Sequence, residues 1–369
     1  MFLALAVSLL LTDPADPRLF STPSSDGVLV HGQADGAAHS NAGVVIMVAG
    51  TGPFDRDVNF GPPGETAVPV FADLAERLVA RGVAVVRYDK RGVRYRQTAA
   101  DRIDEAEIVT ATTGAMRDDL SAVYDWTRSA DGLNARCIAF FGHSEGMVHI
   151  GRLAASGAPA PVVTVGVGSI LTDPVSNFHW NLAERDAWSL RLMDADGDGV
   201  TTNDEVRANL ATTPAAVNGV VDPYLAPDGS WSAEDIAQIE AAWVMAYPAF
   251  RAQILAAADD APWPTAETPL GSMQWWKSWL LDTTPVAANL ATWESPVIAH
   301  IGDRDSQTHA PLQIQAGQAA LGHRLTVRLH PGVGHTLGDS PTYGPMRPDL
   351  ADQVADELAS ALAACTAAN

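Results

Sequence analysis

The sequence predicts an α/β fold in which a mostly parallel β-sheet is covered by helices on both faces. Three observations lead to this prediction: short apolar runs rich in β-branched residues recur, helical patterns alternate with them, and the runs lack the apolar-polar alternation of half-exposed strands. Strands that are buried on both faces and separated by helices are typical of parallel sheets.

The elements follow in order along the chain. The predicted strands are residues 44–48, 83–88, 137–141, 162–167, 296–301 and 325–329. The helices predicted between and after them are residues 71–80, 115–128, 147–155, 311–321 and about 348–364. Each strand is too short and too apolar to be a surface element, so we expect all six in one buried sheet.

Composition limits the classes of partner. The chain has 369 residues, 47% of them hydrophobic, and a net charge of -21. It can therefore bury a large core, and we expect it to repel nucleic acids and anionic membranes and to favour cations as partners. No apolar run reaches the roughly 18 to 20 residues of a membrane-spanning helix, so we predict no integral membrane segment. The two cysteines, Cys137 and Cys365, indicate no disulfide framework.

The N-terminus favours export. Residues 2–11 form an apolar stretch with the length of a secretory signal core, but a basic flank and a small-residue cleavage site are missing. We expect a periplasmic or secreted protein. The alternatives are an extra N-terminal strand or a wrongly assigned start codon in a cytoplasmic protein.

The alternation of strands and helices stops between residues 170 and 294. This segment holds nine of the ten tryptophans and 18 acidic against 5 basic side chains, with helical stretches such as 232–245 and 270–281 and no convincing strand. We predict an inserted helical lid at 170–294, which divides the α/β core into an N-terminal part, 1–169, and a C-terminal part, 295–369.

A nucleophile motif follows the strand at 137–141. Gly142, His143, Ser144, Glu145 and Gly146 form G-x-S-x-G between a strand and a helix, the context that this motif requires. The glycines permit a tight turn that lifts the serine hydroxyl off the strand end. Ser144 is therefore the predicted nucleophile, and we interpret His143 and the nearby His149 as structural.

The predicted base and acid lie after later strands. A serine needs a histidine that accepts its proton and a carboxylate that orients the histidine, and on open α/β sheets such groups collect at the C-terminal ends of strands. His335 follows the last strand in a glycine-flanked loop, and we prefer it to His330, which still belongs to the strand. We prefer Asp305 to Asp303 because it lies deeper in its loop, and Asp173 is a further alternative.

Two backbone N–H groups should stabilise the oxyanion of the transition state. One is that of Glu145, the residue after the nucleophile. For the other we choose Thr51, in the glycine-rich loop after the strand at 44–48.

These motifs resemble those of bacterial serine esterases of the α/β-hydrolase superfamily, which are related to serine aminopeptidase-like hydrolases. The similar segments are 50–53 with 55–57, 87–92, 142–146 and 302–305, within about 25–170 and 285–365. The resemblance implies the α/β-hydrolase fold, cofactor-free hydrolysis of carboxylic esters and a triad of Ser144, Asp305 and His335. Met147 and Arg94 depart from the family pattern, which usually has glycine at both positions.

A calcium motif lies in the inserted segment. Residues 194–205 satisfy the EF-hand pattern D-x-D-x-D-G-x5-E. The predicted ligands are carboxylates, one backbone carbonyl and one direct or water-mediated contact, supplied by Asp194, Asp196, Asp198, Val200, Thr202 and Glu205. We expect a structural Ca²⁺ ion in the lid and no cofactor for catalysis. A degenerate second loop near Trp231 would pair with Thr201 but lacks ligands.

The leading hypothesis is therefore a serine esterase with a small-molecule ester or acyl substrate and a calcium-stabilised lid. A serine peptidase, an acyl-CoA thioesterase or an acyltransferase is the alternative, because the same triad serves all acyl transfers. A third hypothesis is a calcium-dependent binding protein on an inactive hydrolase scaffold.

Overall fold

A computed structural model describes residues 17–60, 68–96, 101–210, 224–261, 272–341 and 344–368. The apolar stretch at 2–11, on which the expectation of export depends, lies outside these residues. Within the described ranges, the chain has no helix with the length and apolar character needed to cross a bilayer.

The described part of the chain contains one large sheet and two short ribbons. Its strands are β1 Arg18–Pro23, β2 Leu29–Asp35, β3 Val44–Val48, β4 Asn59–Phe60, β5 Val68–Pro69, β6 Ala84–Tyr88, β7 Ile138–His143, β8 Thr164–Val167, β9 Val200–Thr202, β10 Ser230–Ser232, β11 Val297–Gly302 and β12 Leu325–His330. The eight-stranded sheet has the order β1-β2-β6-β3-β7-β8-β11-β12. From β6 to β12 all neighbours are parallel, whereas β1 and β2 pair antiparallel. The predicted α/β fold is confirmed, and β1 and β2 are additional edge strands.

Helices cover both faces of this sheet. The α-helices of the described residues are α1 Val70–Ala80, α2 Glu105–Ile108, α3 Thr113–Arg128, α4 Gly146–Ala155, α5 Pro174–His179, α6 Arg185–Met193, α7 Asn203–Leu210, α8 Ala233–Ala256, α9 Met273–Leu280, α10 Val286–Leu290, α11 Ala310–Leu321 and α12 Pro348–Ala368. Side chains alternate along a strand, so Val44 and Ile46 of β3 pack with α3, α4 and α10, while Val45 and Met47 pack with α1 and α12. Two apolar layers result, one on each face.

The two cysteines form a disulfide, although the sequence indicated no disulfide framework. Cys137 precedes β7 and Cys365 lies near the end of α12, 228 residues later, with Cα atoms 6.0 Å apart. The pairing arises because α12 packs back across the sheet through Val354, Leu358 and Leu362. The 228-residue separation of the two cysteines gives no indication in the sequence that α12 brings them together.

The segment between β8 and β11 is not purely helical, in contrast to the prediction. It carries α5 to α10, but β9 and β10 also pair as an antiparallel ribbon. Its α9 joins the apolar layer of the sheet, whereas α6, α7 and α8 enclose a separate small cluster around Leu190, Met193 and Val206. The segment therefore has one part packed on the sheet and one part with its own core.

Candidate active site and acidic loop

Ser144 lies in a sharp turn between β7 and α4. Its φ of 53° is a left-handed conformation that non-glycine residues seldom adopt, and such strain is common at functional sites. The glycines beside it are required by space: a Cβ on Gly146 would lie 2.2 Å from the carbonyl oxygen of Val48, and one on Gly142 would lie 2.6 Å from Met147 Sδ. The turn thus has the strand-turn-helix geometry that places a serine at the end of a strand.

His335 and Asp305 are hydrogen-bonded to each other in the loops after β12 and β11. Nδ1 of His335 lies 2.9 and 3.0 Å from the two carboxylate oxygens of Asp305, and both side chains are buried. The Asp305 carboxylate also accepts backbone N–H bonds from Gln307, at 2.8 Å, and from Thr308, at 2.9 Å. These hydrogen bonds hold the Asp305 carboxylate where it can orient the His335 imidazole.

The alternative candidates have other partners. Asp303 accepts a hydrogen bond from the Gly332 N–H at 2.7 Å and so fixes the start of the loop that carries His335. Asp173 caps the first turn of α5. His330 lies at the outer strand, where its Nε2 is 3.0 Å from Nδ1 of His300. The structure brings Asp305, and neither of the other aspartates, against the His335 imidazole.

The serine turn and the histidine loop meet at the end of β8. The Ser144 N–H donates to Val167 at 3.0 Å, and a Cβ on the next residue, Gly168, would lie 2.7 Å from Nδ1 of His335. The rings of His143 and His335 have centroids 5.0 Å apart. Burial and the neighbouring His335 imidazole hold the pKa of His143 well below its usual range, so the buried ring of His143 is neutral.

The glycine-rich loop after β3 passes directly beside Ser144. A Cβ on Gly50 would lie only 3.0 Å from the Cβ of Ser144 and 2.7 Å from Nδ1 of His143. Thr51 lines the same cavity as Ser144. The backbone at Gly50 and Thr51 can thus approach a substrate held at the serine.

The side chain of Glu145 takes part in a network that the sequence analysis did not identify. Its carboxylate is fully buried and accepts hydrogen bonds from Lys90 and from the indoles of Trp275 and Trp279. Lys90 lies in one of the segments that resemble the esterases, but nothing in the pattern assigned it a partner. The tryptophans lie about 130 residues from Glu145.

A cavity of about 170 Å³ opens beside Ser144. It is smaller than the roughly 300 to 1,000 Å³ of typical ligand sites, and tryptophans form much of its wall. Its lining residues are Thr51, Ser144, Ile170, Asn177, Phe178, Asn181, Leu182, Arg185, Trp275, Trp276, Trp279, Gln307 and Thr308. The arrangement suits a small apolar group next to Ser144.

The acidic loop connects α6 to α7. Carboxylate oxygens of Asp194, Asp196 and Asp198 all lie within 4.8 Å of one another. Glu205 closes the loop, because its two oxygens accept N–H bonds from Ala195, at 2.9 Å, and Thr202, at 2.8 Å. The hard oxygen donors that calcium prefers are therefore grouped in a curled loop.

A short ribbon supports this loop. Thr201 of β9 pairs with Trp231 of β10, which is the partner position anticipated from the sequence. Leu190 and Met193 before the loop pack against Val206 after it. The acidic loop is thus held by the pairing of β9 with β10, whose own loop lacks ligands, and by a local apolar cluster.

Comparisons with known proteins extend over nearly the whole chain but at low identity. No protein-family profile and no curated protein sequence matches it. Among solved structures, a lipase in its open form has a TM-score of 0.56 at 13% identity and covers 95% of this chain and 99% of its own. VinJ has a TM-score of 0.53 at 16% identity and covers 94% and 100%. A protein from Burkholderia cenocepacia described as an aryl esterase has a TM-score of 0.50 at 17% identity and covers 94% and 99%. With the sheet order and helix placement above, these similarities show that the chain has the α/β-hydrolase fold.

Proposed function

We propose that the protein is a serine hydrolase that cleaves a carboxylic ester through an acyl-enzyme. The observation that carries the proposal is the buried hydrogen bond between His335 and Asp305, at the sheet edge where Ser144 is held in its strained turn. A buried imidazole paired with a carboxylate near a serine in a strained strand-turn-helix turn is the arrangement that activates serine for acyl transfer.

In the proposed mechanism, Ser144 Oγ attacks the ester carbonyl while His335 Nε2 accepts its proton. The oxyanion accepts hydrogen bonds from the backbone N–H groups of Thr51 and Glu145. As the tetrahedral intermediate collapses, the His335 imidazolium donates the proton to the leaving alcohol. Water then attacks the acyl-enzyme by the same route, and Asp305 stabilises the imidazolium in both halves of the reaction.

The cavity favours a small apolar acyl or aryl group. Its volume of about 170 Å³ and its walls of Trp275, Trp276 and Phe178 leave little room for a long chain. Turnover of acetyl and butyryl p-nitrophenyl esters should therefore exceed that of decanoyl esters. Aminoacyl amides and acyl-CoA, assayed in parallel, would reveal a peptidase or thioesterase if they turned over faster than any ester.

The direct test compares ester hydrolysis by the wild type, Ser144→Ala and Ser156→Ala. Ser156 ends α4 and is exposed, so it is a matched control for the loss of a hydroxyl. We expect Ser144→Ala to lower kcat/KM by about 1,000-fold or more and Ser156→Ala to leave it unchanged. Equal rates in all three proteins would refute the proposal and favour a binding protein on an inactive scaffold.

We further propose that the loop at 194–205 binds one structural Ca²⁺ and that the inserted segment is a lid. The donor set fits this ion: carboxylates of Asp194, Asp196, Asp198 and Glu205, with the Val200 carbonyl and Thr202. Calorimetric titration with CaCl₂ should show one site. Asp194→Asn should abolish calcium binding. The Asp204 side chain is 95% exposed and pairs with Arg207, so the control Asp204→Asn should retain calcium binding. Binding by both variants would contradict this assignment.

Export remains a proposal, and the disulfide supports it. Disulfides such as Cys137–Cys365 persist mainly in oxidising compartments. Fractionation of the producing cell, with mass spectrometry of the N-terminus, should find the protein outside the cytoplasm. Recovery of the reduced protein in the cytoplasmic fraction would contradict export.

A further inference from the structure

The carboxylate of Glu145 is held by donors from two distant parts of the chain. Its Oε2 accepts from Lys90 Nζ at 2.9 Å. Its Oε1 accepts from Trp275 Nε1 at 2.9 Å and from Trp279 Nε1 at 3.1 Å. The two indoles come from one face of α9, four residues apart, so a single helix of the inserted segment supplies both.

Lys90 makes a second bond that reaches the other side of the proposed oxyanion site. Its ammonium donates to the Gly50 carbonyl at 2.7 Å. The Gly50 C=O and the Thr51 N–H belong to the same peptide unit, which is planar and trans, so they point in opposite directions. A bond that fixes the Gly50 carbonyl therefore also fixes the direction of the Thr51 N–H.

The charges in this network balance. Burial by itself raises the pKa of Glu145, but Lys90 and the hydrogen bonds outweigh it and bring the pKa below its usual value. His149 Nε2 lies 3.7 Å from the Glu145 carboxylate, yet burial lowers the pKa of His149 to about 4, so this histidine is neutral at pH 7. One carboxylate thus faces one ammonium, and removal of either leaves a buried charge uncompensated.

We propose that Glu145 and Lys90 are positioning residues of the oxyanion site, and that Trp275 and Trp279 make its geometry depend on α9. The Glu145 N–H is aimed because its own side chain is anchored to Lys90 and α9, and the Thr51 N–H is aimed because Lys90 holds the preceding carbonyl. This inference rests on the proposed function. It adds that docking of the inserted segment completes the catalytic site.

A merely structural role for the network would affect stability and substrate binding alone. A positioning role would affect the transition state, because oxyanion donors act most strongly on the charge that develops there. The two roles are separated by kcat and KM measured individually, and by the affinity of an alkylboronic acid, which forms a tetrahedral adduct with the serine.

The experiment uses the full chain with Glu145→Gln, Trp275→Phe and the control Asp282→Asn. Glu145→Gln keeps the size of the side chain and removes its charge. Asp282→Asn makes the same change in the ion pair of Asp282 with Arg152, which links α4 to the residues after α9 at 2.6 Å. Asp282 does not line the described cavity.

We expect Glu145→Gln to lower kcat about 10- to 100-fold with KM changed less than threefold. The affinity for the boronic acid should fall by a factor similar to that of kcat. Trp275→Phe, which keeps an aromatic side chain but loses the indole N–H and some volume, should show a smaller loss of the same kind, and Asp282→Asn should behave as the wild type. If Glu145→Gln does not fold, Trp275→Phe and Trp279→Phe decide the question by the same readouts.

Unchanged kcat and boronic acid affinity in the folded variants would overturn the positioning role while leaving the esterase intact. Loss of stability or a raised KM alone would overturn it as well. Absence of any Ser144-dependent turnover in the wild type would instead refute the proposed function, and this inference with it.

Discussion

Removal of the Cys137–Cys365 disulfide should cost the protein a large part of its stability. The bond closes a loop between residues 228 apart, and the chain-entropy relation for a loop of this length gives about 5 kcal/mol at 25 °C. Total stabilities of folded proteins are roughly 5 to 15 kcal/mol. In a chain of 369 residues, a loss of about 5 kcal/mol corresponds to a fall in Tm of about 6 °C.

The assay is urea unfolding of the oxidised wild type, Cys365→Ala, Cys137→Ala and the double variant. Cys365 is only half-buried, so its replacement removes the cross-link with little loss of packing, whereas Cys137 is buried beside β7. If the cross-link dominates, Cys365→Ala should lose nearly as much stability as the double variant, and a reductant should destabilise the wild type alone. Intact mass before unfolding verifies that the wild type is oxidised.

A loss below about 1 kcal/mol in Cys365→Ala, with an oxidised wild type, would refute this reasoning. It would mean that residual contacts of the α12 segment, through Val354, Leu358 and Leu362, already restrict the denatured chain. A lower slope of free energy against urea would support this explanation, because a more compact denatured state lowers that slope.

Three further predictions follow from single residues. Asp305→Asn should lower kcat about 10,000-fold, because the imidazole loses its orienting charge. Asp303→Asn should lower kcat by less than about 10-fold. Similar losses of kcat for both variants in steady-state assays would contradict the assignment. Gly146→Ala should destabilise the protein by about 1 to 3 kcal/mol in thermal unfolding, since the new Cβ meets the Val48 carbonyl oxygen at 2.2 Å. Gly114→Ala, at an open helix position, should be neutral or stabilising. A Gly146→Ala variant as stable as the wild type would contradict the close approach. Burial lowers the pKa of His149 and of His300 to about 4, so both stay neutral in the folded protein but gain protons in the unfolded chain below pH 6.5. The contribution of each neutral histidine to the free energy of unfolding should therefore be complete above pH 6.5 and be lost as the pH falls towards 4, by about 2 kcal/mol per histidine at pH 5. His149→Asn should flatten this dependence in urea unfolding and the exposed His323→Asn should not, whereas identical slopes would argue against a neutral buried His149.

The six parallel strands were predictable because each is an unbroken apolar run between helical patterns. β1 and β2 were missed because they lie at the sheet edge, where polar and exposed residues interrupt the apolar signal, as in Ser21 and Gln33. β9 and β10 are three residues long and show no measurable period. Length and exposure therefore decided which strands the sequence could reveal.

Candidate site residues were predictable where each follows a strand, because strand ends converge by topology. Ser144, Asp305 and His335 belong to this group, and so does Thr51. The contacts of Glu145 with Lys90 and α9 were not predictable, because they depend on how the inserted segment docks on the sheet. The disulfide escaped for the same reason: it depends on the path of α12.

Activation of the Ser144 hydroxyl by His335 can be measured directly by labelling with a fluorophosphonate probe, followed by mass spectrometry of the modified peptide. We expect a single label on Ser144 in the wild type and a rate at least about 100-fold lower in His335→Ala. A label on another residue, no label, or equal labelling rates in the two proteins would contradict it.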